Sequence, residues 1–424
     1  YIARYVDDTD LLSAERLRSH ERYVKFFNET LPNNSTLLKL WKEHLKLWEE
    51  NTRLSRRYPI PDFTCHQLFP HNNHIAKTVH DLHPGDIRIV AALGDSLTAG
   101  NGILATNIIG DFIEYRGHSW SIGGDGDLNT VITLPNILKK FGQYLWGYSL
   151  GTGGVSSNNA RLNLAEPGHV SSNMPQQADN LIKKLKTDQH VRYQDDWKVI
   201  TVFIGGNDLC DYCNDQNLYS PANYAMHIRD ALDKLHAEVP KAFVNLVNIF
   251  DIAPIAAMDG GFICNLAHNI VCDCGHNKAN MQMLGNVAIQ YQNELEKLVL
   301  SGRYDTRDDF TVVLQPFFTN TAPPLNNRGA IDLSFFSPDC FHFSEKGQFA
   351  AGLSLWNNMM EPPAYKKKEW HLYSNFHCPL TLVSIDHVQC SNRHWRIYIF
   401  PGGQNFLGVQ HNYDFEKKNT LCIK

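Results

Sequence analysis

Ile87-Arg-Ile-Val-Ala-Ala-Leu-Gly-Asp-Ser-Leu-Thr-Ala-Gly100 is the stretch on which the fold turns. Its opening is a mostly apolar, β-branched run that is short for a helix, so Ile87 to Leu93 reads as a buried strand. Three similar runs follow, Val199 to Ile204, Phe243 to Phe250 and Phe310 to Gln315. Between and after them come helical patterns at Gln176 to Leu185, Ala222 to Val239, Val287 to Leu300 and Glu345 to Asn358. Strands that alternate with helices predict a parallel sheet covered on both faces, a three-layer α/β/α sandwich. Such sheets bind ligands beyond the carboxyl ends of their strands. The polar clusters of this sequence fall there.

The first cluster is Gly94-Asp-Ser-Leu97, directly after the first strand. A serine at a strand-to-helix turn projects its hydroxyl above the sheet, beside a helix N-terminus that favours negative charge. The same letters also suit a glycine turn with a capping serine. The second cluster, Gly205-Gly-Asn-Asp208, follows another apolar strand. The Asn207 amide can donate to an oxygen that becomes negative in a tetrahedral intermediate, although Asn and Asp equally favour plain turns. The third is Ser337-Pro-Asp-Cys-Phe-His342-Phe-Ser344. Three residues apart in a turn, Asp339 can reach the Nδ1–H of His342, fix its tautomer and leave Nε2 as a base. Ser96, Asp339 and His342 are therefore the expected catalytic residues. Three such clusters in that chain order are much harder to produce by accident than any one.

Composition narrows the setting. With 39 Lys and Arg against 44 Asp and Glu, the net charge of -5 leaves no electropositive surplus to hold a nucleic-acid backbone. The run Lys366-Lys-Lys368 reads as a solvated surface, with only a weak hint of anionic headgroups. Ten cysteines, together with the sequons at Asn28, Asn33 and Asn34, suggest disulfides and the secretory route. No run approaches the roughly 20 apolar residues of a spanning helix, and no leader opens the chain, so the numbering is expected to start after signal-peptide removal.

Leu37, Trp41, Leu45 and Trp48 line one face of a helix whose other face carries Lys39, Lys42, Glu43, Lys46 and Glu49. That face suits packing on the chain's own domain, with a lipid interface as the alternative. After Pro362 and Pro363 a Cys-bearing tail holds β-prone pieces such as Trp395 to Phe400. The expected organisation is an N-terminal helical extension over 1–60, a main domain over 61–363 and a C-terminal extension over 364–424.

Cys264, Cys272, Cys274 and His276 raise zinc, but Cys-X-Cys departs from the usual spacer and disulfides are preferred. Cys210-X-X-Cys213 raises a redox site, again with structural bonding preferred. Cys340 can anchor its turn covalently or stay a buried thiol. Asp125-Gly-Asp-Leu-Asn129 resembles the start of a calcium loop, yet Thr130 and Asn136 stand where such a loop needs glycine and glutamate, so a polar turn is expected. No cofactor or metal is called for.

The chain resembles the SGNH or GDSL hydrolases, and within them the phospholipase B type, from about Phe63 to Pro363. The resemblance rests on Val90 to Gly102, Trp120-Ser-Ile-Gly-Gly-Asp-Gly126, Thr133-Leu-Pro-Asn-Ile-Leu138, Phe203 to Cys213 and Pro338 to Phe343. It implies a flavodoxin-like architecture, Ser96 as nucleophile, Asp339 and His342 as partners, and an oxyanion hole from Ser96, Asn207 and the N–H of Gly168. Glu166 and His169 flank Gly168 where the family usually has small residues. It also implies a secreted enzyme, possible membrane association, and acyl esters of phospholipid or lysophospholipid at a lipid interface as substrates. Another acyl ester, such as acylated carbohydrate, and a non-catalytic lipid-binding role are the alternatives.

Overall fold

A computed structural model describes residues 29–53, 58–65, 76–106, 108–142, 144–256, 258 and 261–379. Four strands, β1 (Ile87–Gly94), β2 (Trp197–Phe203), β3 (Ala242–Val247) and β4 (Phe310–Gln315), form one sheet in the order β1-β2-β3-β4. Every neighbouring pair is parallel. Every residue of β2 and β3 is buried, which is why these strands read as continuous apolar runs rather than alternating ones.

The free edge of β1 is covered by chain too irregular to be read as a strand. The Trp146 N–H donates to Arg88 O at 2.8 Å, and the Leu164 N–H donates to Ala92 O at 2.9 Å. Both contacts run parallel to β1. Counted second along the chain, this edge gives the sheet the order 2-1-3-4-5, the flavodoxin-like arrangement expected from the resemblance.

Five helices of 14 residues or more occur among the described residues: α1 (Ser35–Arg53), α2 (Met174–Thr187), α3 (Pro221–Glu238), α4 (Met281–Leu300) and α5 (Glu345–Met360). The helices α2, α3 and α4 lie side by side on one face. Met174, Ala178, Leu181, Ile182 and Leu185 give α2 its buried stripe, and Pro sits in the first turn of both α2 and α3. On the other face lies α5, beside the short helix Leu134–Leu138, and Asn245 of β3 reaches Met359 there. Helix α5 is buried along nearly its whole length. Ser344 caps it by accepting from the Gly347 N–H.

The predicted helix around Trp41 is present as α1, with Trp41 buried and the helix set against Phe262–Val271. The side chains of Leu45 and Trp48 lie outside the described residues. One expectation fails. Lys366 is not part of a solvated run: it is buried, and its Nζ donates to the Asn358 carbonyl, leaving Lys367 and Lys368 exposed.

Beyond Pro363, the chain returns to the main body. Tyr373 stacks on Tyr58 with ring centroids 5.2 Å apart, and Trp356 of α5 donates to the His377 carbonyl at 2.8 Å. A disulfide joins Cys378 to Cys65. Three more pair Cys210 with Cys272, Cys213 with Cys274, and Cys264 with Cys340. The Cys-X-Cys and Cys-X-X-Cys pairs are thus joined to each other. Cys390 and Cys422, the Trp395 to Phe400 segment and the sequon at Asn28 lie outside the described residues. Asn33 and Asn34 are exposed beside α1.

Candidate active site

All four strands run the same way, so their carboxyl ends share one rim, and each expected site residue follows a strand. β1 ends at Gly94, and Asp95 caps the short helix Ser96–Ala99 by accepting from the Leu97 N–H at 3.0 Å. Gly100 closes that helix in a left-handed conformation, φ 88°, which a side chain would resist. Ser96 is thereby held in the first turn, almost buried.

The segment after β4 brings the partners. Ser337 N donates to His342 O at 2.8 Å, and Phe336 bridges to Phe343, closing a tight loop around Asp339 and His342. Cys340, at its tip, adopts φ 59° and is tied by its disulfide to Cys264. Inside the loop, Asp339 Oδ1 accepts from the N–H groups of Phe341 and His342, each at 2.9 Å, and from the Ser337 hydroxyl at 2.8 Å. Its other oxygen lies 2.5 Å from His342 Nδ1, and His342 Nε2 lies 2.8 Å from Ser96 Oγ. The structure thus brings together all three residues expected from sequence.

The electrostatics of this line follow from its surroundings. Burial works against the charge on Asp339, but the His342 imidazole and the hydrogen bonds to Asp339 outweigh it and hold the carboxyl down at about 2. Burial likewise works against a charged His342, yet Asp339, with help from Asp95, raises its pKa above the ordinary imidazole value. Asp95 itself is pushed up to about 7, chiefly by burial.

The other two expected residues meet at a turn that hangs from the end of β1. Asn207, in the short helix Gly206–Asp211 after β2, donates from Nδ2 to the His169 carbonyl at 2.8 Å, which sets it beside Gly168, φ 76°. An amide carries two N–H bonds, so one donor remains after this contact. The turn at 166–169 hangs from the end of β1: Glu166 N donates to Gly94 O at 3.2 Å. Gln177 bonds both the N–H and the carbonyl of Gly94, at 2.9 and 2.8 Å, and its Nε2 reaches His169 Nδ1 at 2.8 Å. Asp208 adds a further tie, accepting from the N–H and hydroxyl of Ser171.

Sequence reasoning missed several supporting residues. Arg116 is fully buried and donates to the carbonyls of Gly153, Asn163 and Ala165, at 2.7, 3.1 and 2.8 Å, fixing the chain that leads into the Gly168 turn. These carbonyls lie 37 to 49 residues away, so no local spacing marks them; the carboxylate partner of Arg116 is Glu114. Asp111 lies behind the loop beside Asp339 and Ser337; burial first, then the Asp339 charge, pushes its carboxyl well above the usual range. Gly102 makes room for it, since a Cβ there would come within 2.7 Å of Asp111 Oδ1. Asp125, the start of the calcium-like run, accepts instead from the Gly151 N–H.

A family described as GDSL-like lipase/acylhydrolase matches residues 90–354. The chain belongs to this family. The family's description is of lipases and acylhydrolases, enzymes that cleave carboxylic esters. Mouse (Mus musculus) membrane-associated phospholipase B1 is 45% identical over 331 residues, covering 76% of this chain and 22% of its own. The human (Homo sapiens) protein of that name is 46% identical over 316 residues, covering 72% and 22%. The chain therefore spans about a fifth of the length of the curated relatives it matches. Among solved structures, a GDSL-like lipase from Parabacteroides merdae aligns at 13% identity with a TM-score of 0.35, over 63% of this chain and 93% of its own.

Proposed function

We propose that this chain cleaves acyl esters of glycerophospholipids and lysophospholipids through an acyl-enzyme on Ser96. The observation that carries this reading is the unbroken line from Asp339 to His342 to Ser96, at 2.5 and 2.8 Å. His342 Nε2 takes the proton of Ser96 Oγ as that oxygen attacks the ester carbonyl, and Asp339 steadies the imidazolium that forms. The remaining Asn207 N–H and the backbone N–H groups of Ser96 and Gly168 receive the oxyanion. His342 then returns the proton to the leaving alcohol, and water releases the fatty acid by the reverse path.

The phospholipid substrate is supported by the names of the relatives. It is also supported by Leu104 and Phe112, exposed apolar side chains on the loop between Ser96 and Arg116 that suit an acyl chain or lipid surface. Four disulfides fit a secreted protein. No helix among the described residues is long and apolar enough to cross a membrane.

The test is a panel of diacyl phospholipid, lysophospholipid, a short p-nitrophenyl ester and an acetylated carbohydrate, run with the parent and with Ser96→Ala. Fatty acid should be released from both ester positions of the phospholipid. Covalent labelling by a fluorophosphonate should vanish in the variant. Turnover confined to the carbohydrate would assign the other substrate class, and activity persisting in Ser96→Ala would overturn the mechanism.

A further inference from the structure

At the opposite end of α5 from His342, three side chains converge that the ester chemistry does not use. Glu361 follows the last turn of the helix, and His371 and His377 come from the segment that folds back over it. His371 Nε2 lies 3.3 Å from Glu361 Oε1, and His377 Nδ1 lies 3.8 Å from the same oxygen. The three atoms lie within 4.8 Å of one another, and the imidazole rings meet edge to face with centroids 5.3 Å apart. Two donors each about 2.0–2.2 Å from one tetrahedral ion stand roughly 3.4 Å apart. The two distances to Glu361 Oε1, 3.3 and 3.8 Å, are close to that.

The surroundings hold this arrangement from outside. Glu361 Oε2 accepts from Asn358 Nδ2 and from the Lys367 N–H, each at 2.8 Å, which leaves Oε1 for the histidines. The His371 N–H donates to Ser354 Oγ at 2.9 Å, and the His377 N–H donates to Asn357 Oδ1 at 2.8 Å. The backbone of both histidines is therefore held by side chains of α5, which places the two rings beside Glu361. Yet His371 is 2% exposed, its Nδ1 has no hydrogen-bond partner among the described residues, and its Nε2 meets Glu361 Oε1 at 3.3 Å. A buried polar ring left so is costly.

We propose that Glu361, His371 and His377 bind a divalent transition metal, zinc in the first instance, with water on the exposed side of His377 as the fourth ligand. A simple ion pair does not account for the arrangement. One carboxylate can neutralise one imidazolium, and a second imidazole beside it would then add either a like charge or an unsatisfied lone pair. A dication satisfies all three donors together. Helix α5 has 16 residues, so at 1.5 Å per residue the site lies roughly 24 Å from the helix start that follows His342. The metal is accordingly structural. His377 precedes Cys378, so metal and disulfide pin the same segment to α5 and to Cys65.

The experiment uses the whole chain, stripped with EDTA, dialysed and titrated with zinc or cobalt(II). The parent should take up one equivalent at this site with a dissociation constant of about 1 μM or below, and cobalt should give the visible absorption of a tetrahedral ion. His377→Gln, at a half-exposed position, should keep the fold by circular dichroism and keep full ester hydrolysis, while binding zinc at least about tenfold more weakly. Glu361→Gln should do the same to the metal. Equal binding by parent and His377→Gln, or no uptake by the parent at about 100 μM metal, would overturn the site. Neither result bears on Ser96, whose hydrolysis is read separately in the same samples.

Discussion

The two ends of α5 carry the same residue types and are set up for different work. Before its first turn, one carboxylate, Asp339, holds one imidazole, His342, whose second nitrogen faces a hydroxyl. After its last turn, one carboxylate, Glu361, meets two imidazoles, each of which presents a nitrogen to the same oxygen. A carboxylate and a histidine in contact do not specify a chemistry. What specifies it is the group opposite the remaining nitrogen: a proton source makes that nitrogen a base, and another lone pair makes it a ligand.

The comparison breaks most decisively at Asp339. Asp339→Asn should leave the protein folded and lower kcat by about 10⁴-fold, because an amide can turn His342 to the wrong tautomer. A variant with parental turnover would mean that the orienting carboxylate lies elsewhere, and Asp111, its buried neighbour, would be the next residue to change. Asn207→Ala should lower kcat by about 10²- to 10³-fold with little change in KM, since its free N–H matters only once the oxyanion forms. A rise in KM alone would show that the amide positions substrate or the Gly168 turn instead.

Acidity sharpens the contrast in a smaller measure. His342 must be neutral to accept the Ser96 proton, and its folded-state pKa is raised, so the acid limb of kcat/KM should lie above 6.5. In Asp339→Asn the main group that raises it is gone and only the smaller help of Asp95 remains, so the limb of the residual activity should move to lower pH. An unmoved limb would assign the titration to another group. The smallest effect on rate belongs to the far end of α5. EDTA should leave hydrolysis unchanged while lowering the melting temperature, which zinc at a hundred times its dissociation constant should restore by about 2.7 kcal/mol of stability. Loss of hydrolysis that zinc or calcium restores would contradict a metal-free triad.

The expected strands and helices appear where apolar periodicity placed them, because each is stabilised by burial that repeats along its own sequence. Ser96, Asp339 and His342 were legible for a related reason: turn geometry fixes a short spacing, and a strand end fixes the rim. The edge beside β1 was not legible. Trp146 and Leu162 to Leu164 contribute single bridges, too short to leave a pattern. Arg116 and Gln177 act on backbone carbonyls far along the chain, and such acceptors have no signature in residue type. The disulfide partners stand 61 to 313 residues apart, and Glu361, His371 and His377 share no motif spacing. Lys366 shows the opposite error, since a charge run drew all three lysines into one reading while the first of them was buried to cap the end of α5.

The disulfide between Cys65 and Cys378 brings the Cα atoms of these residues within 5.1 Å of each other. It therefore acts as a mechanical short circuit. Tension applied to the chain before Cys65 and after Cys378 passes through the covalent bridge and never loads the sheet between them. A cut in any loop enclosed by the bridge leaves a single covalent molecule until every disulfide that spans the cut is reduced. The rim that carries Ser96 sits inside that closed ring, insulated from whatever pulls on the segments outside it.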